Sequence, residues 1–321
     1  MALRWGVLGC GDVAERKGGP PLYEVAGSEL VAVMRRDAAK AEDFATRHGA
    51  KRAYSDVNDL ISDPDINAVY VATTPDVHCE QTVQAADAGK HVLCEKPMAM
   101  NTDECRRMVD ACARNGVALM IAYYRRLYPN VQEMKRLLDD GAIGQVILAR
   151  VNHSGYYNPP PGTEGAWRTD PAISGGGVLA ETGCHRVDLL AYLMGDIESA
   201  RGYAANVHVD YPGDDTAAFA LRFENGTHAS VNINWNIGAP VDDLEIYGTK
   251  GALRCIGLDS GALTLEQGGR VTDLPQPRLP YTHTGLVENF VAHVRDGAPN
   301  ICTGEDGLKT AQAIESIYAQ E

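Results

Sequence analysis

Short, continuous apolar segments alternate with amphipathic helical patterns from the start of the chain to about residue 122. Continuous apolar segments joined by helices are typical of parallel strands that are buried on both faces. The pattern predicts strands at 5–8, 30–34, 68–72, 91–94 and 117–122, and helices at 38–48, 78–88 and 102–115. We therefore expect an α/β fold in which residues 1–122 form a doubly wound parallel sheet of the Rossmann type.

After Tyr123 the pattern changes to longer strand-like segments separated by turn sequences. The segments lie at 146–152, 201–210, 216–223, 227–235 and 244–247. Turns such as Glu224-Asn225-Gly226 and 248–251 are typical of connections between neighbouring antiparallel strands. Residues 123–321 are therefore predicted to form an α+β domain with a large, mostly antiparallel open sheet.

A long segment from Gly155 to Gly177 is predicted to be a loop, because it is rich in proline and glycine. A loop of this length in a compact domain usually has a function. We expect it to cover the substrate.

The length and charge of the chain limit the classes of partner. At 321 residues, with a hydrophobic fraction of 45% and a charged fraction of 22%, the chain is long enough for two globular cores. The net charge of -14 disfavours general electrostatic binding to nucleic acid or to anionic lipid. No apolar segment reaches the roughly 18 residues of a membrane span, and no cleavable signal pattern is found at the N-terminus. The expected partner is a small molecule, and the expected location is the cytoplasm.

The eight cysteines are scattered along the chain, without a Cys-x-x-Cys pair and without clustered histidines. This distribution favours reduced thiols over a disulfide framework or a zinc site. We therefore predict no metal.

A glycine-rich segment directly follows the first predicted strand. Two glycines there allow a tight turn and a close approach to a pyrophosphate, and a small residue after them lets the next helix pack on the strand. This context predicts a dinucleotide-binding loop. Its residues are Gly9, Cys10, Gly11, Asp12, Val13 and Ala14.

Arg35 and Arg36 stand at the tip of the second predicted strand, where a carboxylate would favour NAD. A guanidinium group pairs well with a phosphate, so NADP(H) is the preferred cofactor. Two alternatives remain: the arginines are solvated loop charges, or Asp37 serves NAD(H) in a shifted register.

Glu95-Lys96-Pro97 follows another apolar strand and is predicted to lie at the carboxyl edge of the same sheet. A partly desolvated lysine can have a lowered pKa and exchange a proton with a hydroxyl group. The proline fixes the turn, with a cis peptide bond as one option.

These motifs, in this order, resemble the family of glucose-fructose oxidoreductase, inositol dehydrogenase and MocA. The resemblance extends over essentially the whole chain. It rests on 9–14, on Thr73-Thr74-Pro75 with His78, on 88–97, and on Gly175-Gly176-Gly177 followed by Glu181, His185 and Asp188.

The resemblance implies roles for individual residues. Lys96 would assist proton transfer, and His185 would contact the reacting hydroxyl. The cofactor would be lined by Thr73, Thr74, Pro75, His78, Glu95 and Lys96.

Glu181, His185 and Asp188 are spaced so that a helix would present them on one face. A histidine between carboxylates is a candidate general acid-base group, and Lys96, His185 and Glu181 are the predicted catalytic residues. Without the resemblance, a structural histidine would be the better interpretation. Many relatives have aspartate in place of Glu181, so the mechanism transfers better than the substrate.

Six further residues are candidate substrate contacts. Tyr124 and Arg125 resemble the family's Asn-Arg-Arg type of segment, with tyrosine in place of the amide, or they simply join the domains. Loop aromatics could stack on a sugar face, although exposed aromatics are common in loops. The six residues are Tyr124, Arg125, Tyr156, Trp167, Arg168 and Asp188.

The predicted function is reversible hydride transfer between NADP(H) and a secondary alcohol or ketone of a cyclic sugar, sugar derivative or polyol, inositols included. The substrate is expected between the carboxyl edge of the Rossmann sheet and the second sheet, with Lys96 and His185 facing one cavity. Two alternatives are a redox-neutral, NAD-dependent glycosidase of the same family and a non-enzymatic, NADP-responsive regulator. Residues 123–321 are expected to bind the substrate and to mediate oligomerisation, and the expected assembly is a homodimer or homotetramer.

Overall fold

The structure of the protein is a computed structural model that describes residues 2–320. The chain divides into two compact units. The first contains the described residues up to Tyr124 together with Leu279–Leu308. The second contains Arg125–Arg278 and the described residues from Lys309 onward. The boundary expected between residues 122 and 123 stays a prediction, and the packing adds the segment Leu279–Leu308 to the first unit.

The first unit is built on a parallel six-stranded sheet with the strand order β3-β2-β1-β4-β5-β6. All of its neighbouring strands run parallel. The order reverses between β1 and β4, which is the topological switch point where doubly wound sheets bind ligands. The strands are β1 Leu3–Leu8, β2 Ser28–Met34, β3 Arg52–Tyr54, β4 Ala68–Val71, β5 His91–Cys94 and β6 Leu119–Ile121.

Helices connect these strands, and their ends follow from local sequence. The side chain of Asp37 caps the second helix, and the side chain of Asn101 caps the fifth. Both helices stop at glycines with positive φ, Gly49 and Gly116, because that conformation suits a residue without Cβ. The helices are α1 Pro21–Glu24, α2 Ala38–His48, α3 Val57–Ile61, α4 Pro75–Asp87 and α5 Thr102–Asn115. The predicted helices at 38–48 and 102–115 are confirmed.

The second unit is built on an eight-stranded sheet with the order β14-β13-β12-β11-β7-β10-β9-β8. Only β7 and β10 pair in parallel; the other neighbours are antiparallel. The strands are β7 Val146–Tyr156, β8 Ile197–Ala205, β9 Thr216–Phe223, β10 His228–Asn234, β11 Asn236–Gly248, β12 Gly251–Ile256, β13 Thr264–Gln267 and β14 Arg270–Asp273. The predicted fold class is confirmed.

One face of this second sheet is buried and the other is open. Along β9, Ala217, Phe219, Leu221 and Phe223 are buried while the residues between them are exposed, as the period of two in a half-buried strand requires. The helices of the second unit are α6 Pro129–Asp139, α7 Pro171–Ser174 and α8 Cys184–Met194. Helix α9 Thr284–Asp296 belongs to the first unit, and α10 Gly304–Tyr318 begins in the first unit and ends in the second. Among residues 2–320, no helix has the length and apolar character needed to cross a bilayer.

Candidate active site

The glycine-rich loop after β1 has the backbone expected of a phosphate cradle. Gly9 has φ +93°, and a Cβ atom there would lie 2.7 Å from the carbonyl oxygen of Ala72. At Gly11 a Cβ atom would meet no atom within 4 Å, so the backbone faces open space on that side. Cys10 and Ala14 are buried behind the loop. The loop therefore fits the pyrophosphate of a dinucleotide, because a ligand can approach the backbone at Gly11 without meeting a side chain.

The helix after the loop is interrupted, as Gly18 and Gly19 suggest. Residues Ala14–Gly18 form a π-helical turn, and α1 begins at Pro21. A Cβ atom on Gly18 would collide with the hydroxyl of Tyr70, and one on Gly19 would collide with the carbonyl of Ala14. Gly18 therefore lets this turn pack against β4, and Gly19 lets the turn itself close on Ala14.

The tip of β2 lies against the loop through one arginine. Nη1 of Arg35 donates a hydrogen bond to the carbonyl oxygen of Cys10 at 2.7 Å. Arg36 is exposed. Asp37 accepts a hydrogen bond from the backbone N–H of Lys40 at 3.2 Å, so its carboxylate caps α2. The guanidinium of Arg35 is thus held beside the loop, whereas Asp37 already has a structural role.

The Thr73-Thr74-Pro75 turn starts α4, with Pro75 in the first turn of the helix. His78 is fully buried, with Nδ1 2.9 Å from the carbonyl oxygen of Pro97 and Nε2 3.1 Å from that of Thr73. Burial lowers the pKa of His78, although both carbonyls oppose that effect. Its contacts give His78 the role of joining two turns at the sheet edge, and a contact with the cofactor stays a prediction.

Glu95 is buried at the end of β5, and its carboxylate is surrounded by donors. Oε1 accepts a hydrogen bond from the hydroxyl of Tyr70 at 2.7 Å and lies 2.7 Å from Nε2 of His283. Oε2 accepts from the backbone N–H of Lys96 at 3.2 Å. Burial alone would raise the pKa of Glu95, but the charge and hydrogen bond of His283, the Tyr70 hydroxyl and the charge of Lys96 outweigh it and lower the pKa to about 2. Glu95 is therefore a carboxylate at neutral pH.

Tyr70 keeps its proton, since burial and the neighbouring Glu95 raise its pKa well above the usual value. Lys96 follows directly and is only half-buried, and its peptide bond with Pro97 is cis. The lysine side chain therefore begins at a turn whose preceding carboxylate is fixed on both oxygens. No sequence pattern pointed to His283, which lies 188 residues from Glu95.

His185 lies in the second unit, at the start of α8, and is 6% exposed. The residues before it, Leu179–Gly183, form a π-helical turn that leads into α8. Oε1 of Glu181 accepts a hydrogen bond from Nε of Arg168 at 3.0 Å. Asp188 accepts from Nε and Nη2 of Arg126, the shortest contact being 2.6 Å, and both side chains are buried. Glu181 in the π-helical turn and Asp188 in α8 are the two acids predicted to share a face with His185, and each pairs with a guanidinium group.

Within the segment 155–177, Arg168 contacts both an aromatic ring and a carboxylate. Its guanidinium carbon lies 4.4 Å from the centre of the Trp167 ring, a cation–π distance. Burial lowers the pKa of Arg168, but Glu181 and Tyr157 outweigh burial and raise it. Tyr156, at the end of β7, is 60% exposed. Arg168 is therefore a permanent cation between an indole and a carboxylate, while Tyr156 faces solvent.

Tyr124 and Arg125 fall on either side of the division between the units. In the first unit, the ring centre of Tyr124 is 4.9 Å from that of His283, and Nζ of Lys17 lies 5.7 Å from it. In the second unit, Arg125 pairs with Asp259 at 3.4 Å. Direct contact of either residue with a substrate stays a prediction.

The segment before His185 is held by Asp214, which the sequence did not single out. Its carboxylate accepts hydrogen bonds from the backbone N–H groups of Gly177 and Leu179 at 2.8 Å each, and from the hydroxyl of Tyr318 at 2.7 Å. Asp214 thereby fixes the start of the π-helical turn. Within residues 2–320, no group of histidine, cysteine, aspartate and glutamate side chains is arranged to hold a metal ion.

A doubly wound sheet with a glycine-rich loop after β1 and a buried acid followed by lysine after β5 defines the class of an NAD(P)-binding oxidoreductase. Residues 3–123 match the family model described as "Oxidoreductase family, NAD-binding Rossmann fold", and residues 131–254 match the one described as "GFO/IDH/MocA C-terminal domain". The chain belongs to the Gfo/Idh/MocA family.

Relatives cover nearly the whole chain. It is 33% identical to Oxidoreductase P35 of Formosa agariphila over 98% of this chain and 97% of that protein. It is also 33% identical to the 1,5-anhydro-D-fructose reductase of Ensifer adhaerens, over 95% and 92%. The structure of aldose-aldose oxidoreductase from Caulobacter crescentus, complexed with glycerol, superposes with a TM-score of 0.90 at 28% identity, covering 99% of this chain and 97% of that one. The predicted family and the prediction of an oxidoreductase enzyme are confirmed.

Proposed function

We propose that the protein is an NADP(H)-dependent dehydrogenase or reductase that acts on a secondary alcohol or ketone of an uncharged cyclic sugar, sugar derivative or polyol. The observation that carries this proposal is the turn of Glu95, Lys96 and Pro97 at the carboxyl edge of the sheet that also bears the glycine-rich loop. The names of the relatives, a 1,5-anhydro-D-fructose reductase and an aldose-aldose oxidoreductase, support a carbohydrate substrate.

Each residue has a distinct task in the proposed reaction. When bound, the nicotinamide would supply or accept the hydride. Lys96 is the proposed group that exchanges the proton of the reacting hydroxyl. In the second unit, His185 is the proposed hydrogen-bonding group for a substrate hydroxyl, and Glu181, which pairs with Arg168, is the proposed acid beside it in sequence. Glu95 stays ionised and holds the backbone N–H of Lys96. Fixed groups of this kind lower the barrier by orientation.

The preference for NADP(H) is supported by Arg35. Its guanidinium lies at the tip of β2, where the 2′-substituent of the adenosine ribose is recognised in such folds, and is fixed by the carbonyl of Cys10. Arginine binds a phosphate through charge-assisted hydrogen bonds. The carboxylate of Asp37 is engaged at the start of α2, which disfavours its use as a ribose ligand for NAD(H).

An uncharged substrate is supported by the charge pairing in the second unit. A substrate carboxylate or phosphate would need a cation, and four arginines of the second unit are already paired with acids. The pairs are Arg126 with Asp188, Arg168 with Glu181, Arg186 with Asp242, and Arg125 with Asp259. Binding an anion there would break an ion pair, whereas a polyol can hydrogen-bond to paired groups without separating charges.

The test is an absorbance assay of the nicotinamide with the purified protein, with each cofactor in turn. The substrates are 1,5-anhydro-D-fructose, aldoses, inositols and, for each neutral sugar, the matching uronic acid. Turnover of a neutral carbohydrate, at least about tenfold faster in kcat/KM than its uronic acid, is expected. Absence of turnover with every carbohydrate would refute the proposal. Cleavage of a glycoside without net absorbance change would instead indicate the redox-neutral glycosidase, and cofactor binding alone would indicate a regulator.

A second copy of the chain is the proposed occupant of the open face of the eight-stranded sheet. This face carries Tyr203, which is 77% exposed, in register with Ala218, Asn232 and Asn152 on successive strands. Aromatic residues are enriched at protein interfaces, so an exposed tyrosine on an open sheet face favours self-association. Sedimentation measurements should show a dimer or tetramer, and Tyr203→Asp should weaken it; a wild-type monomer would contradict this.

A cytoplasmic location is also proposed. All eight cysteines are buried free thiols. Burial raises the pKa of Cys10, Cys112 and Cys255 to about 12, so these thiols stay protonated. Such thiols are typical of proteins from a reducing compartment.

A further inference from the structure

We infer that His283 is a positioning residue for Lys96 that acts through the carboxylate of Glu95. This inference rests on the proposed function in so far as Lys96 transfers a proton. His283 precedes α9, in the segment Leu279–Leu308 that returns to the first unit. Its Nε2 lies 2.7 Å from Oε1 of Glu95, and its side chain is fully buried.

Three neighbours besides Glu95 contact the imidazole ring of His283. The hydroxyl of Thr282 lies 3.0 Å from Nδ1. The ring of Tyr124 is tilted against it at 4.9 Å between centres, and the ring of Tyr70 meets it edge-on at 6.3 Å. Because these contacts already restrict the side-chain rotamers of His283, Nε2 points at Glu95 with little further loss of conformational entropy. The contact is therefore a preformed part of the fold.

The two carboxylate oxygens of Glu95 accept hydrogen bonds from different partners. Oε1 takes the hydrogen bonds of His283 and Tyr70, and this leaves Oε2 turned toward the backbone N–H of Lys96. If the side chain of His283 could not donate, Oε1 would keep only the phenol of Tyr70 among these two donors. The buried carboxylate would then be less well compensated, and the start of the lysine turn would lose its fixed anchor.

The charge on Glu95 also acts on the ammonium group of Lys96. Four groups face the carboxylate: Tyr70 from β4, His283 from the segment before α9, Lys96 from the same turn, and Cys94 at the end of β5. His78 from α4 and Tyr124 lie further out. Among these groups, the charge of His283 lowers the pKa of Glu95 most, so His283 is the main group that compensates the negative charge of Glu95. Its removal leaves more uncompensated negative charge beside Lys96, which favours the ammonium form of the lysine.

The test compares His283→Phe, which removes the donor, with His283→Gln, whose amide N–H can replace Nε2. His208→Phe is the matched control, because His208 is exposed in the connection between β8 and β9. In His283→Phe, kcat is expected to fall about tenfold or more, with the KM for NADPH changed by less than about twofold. His283→Gln should recover most of kcat. A purely structural role would lower the melting temperature of His283→Phe and leave kcat per folded molecule unchanged, and that result would overturn the inference.

A second measurement does not require turnover. Lysine-specific acylation of the whole protein, read by mass spectrometry on the peptide that contains Lys96, is followed as a function of pH in the same variants. The pH midpoint for Lys96 should rise by roughly half a unit or more in His283→Phe, and stay unchanged in His208→Phe. An unchanged midpoint in His283→Phe would refute the link between His283 and Lys96, even if no sugar were turned over. A shifted midpoint without any sugar turnover in the wild type would instead refute the proposed function alone.

Discussion

Replacement of Arg35 by alanine should convert the proposed NADP(H) preference into near indifference between the two cofactors. The guanidinium has two roles that the substitution separates. Its hydrogen bond to the carbonyl of Cys10 supports the loop for either cofactor, whereas its contact with a 2′-phosphate would serve NADPH alone. The ratio of kcat/KM for NADPH to that for NADH therefore isolates the phosphate contact.

The expected size follows from the burial of the two arginines. Arg35 is half-buried and fixed, so a charge-assisted contact there contributes about 1.5–3 kcal/mol, or about ten- to a hundredfold in the cofactor ratio. Arg36 is exposed, and a screened contact of that kind contributes at most about 1 kcal/mol, roughly fivefold or less.

The assay is steady-state kinetics with both cofactors on Arg35→Ala, Arg36→Ala and a control. Arg106→Ala is the control because it removes the same charge from an exposed site on α5, where the side chain pairs only with the neighbouring Asp103 among the contacts described. Equal losses with NADPH and NADH in Arg35→Ala would refute the phosphate assignment and leave Arg35 with its structural role at the loop.

Two other predictions concern the loop and the buried acid. Gly9→Ala should destabilise the protein by about 1–3 kcal/mol, because φ +93° and the nearby carbonyl of Ala72 disfavour a Cβ atom. Gly11→Ala should leave stability nearly unchanged and weaken cofactor binding. Thermal melting and cofactor titration measure both effects, and the reverse pattern would contradict a phosphate-binding loop that is open at Gly11. The pKa of Glu95 is lowered from 4.5 to about 2 by folding, so its contribution to stability is complete above pH 4.5 and is lost as the pH falls through about 2. The difference in unfolding free energy between wild type and Glu95→Gln should therefore shrink by about 3 kcal/mol between about pH 5 and about pH 2 in urea denaturation, and a constant difference would contradict the ionised, paired state of Glu95.

Much of the first unit could be predicted because its signals are local. The helix at 38–48 is bounded by Asp37 and Gly49, and the helix at 102–115 by Asn101 and Gly116, so the capping residues are visible in the sequence. The glycine-rich loop and the Glu95-Lys96 turn follow apolar strands directly. The short strand β3 was missed, since three residues carry too little periodicity.

The contacts that complete the candidate site are distant in sequence and were not predicted. His283 is separated from its partner Glu95 by 188 residues, and Tyr70 is part of an apolar strand that indicates only a core residue. The helical spacing predicted that Glu181 and Asp188 lie on the same face as His185. It could not show that each carboxylate already pairs with a guanidinium group.

Long-range pairing also decided the second sheet. The pattern predicted strands separated by turns, but not the parallel pairing of β7 with β10 or the length of β11, Asn236–Gly248. Register and neighbour choice depend on the face that each strand buries, which a single segment does not contain.

Lys96→Ala is the decisive variant for the proposal that Lys96 exchanges the proton in a nicotinamide-dependent reaction. Turnover of the best carbohydrate and the Kd for NADPH are measured side by side, with the exposed Lys51→Ala as control. In Lys96→Ala, kcat is expected to fall about a hundredfold or more while the Kd for NADPH stays within about threefold, because the lysine acts on the substrate proton. Unchanged turnover in Lys96→Ala would contradict this role of the lysine.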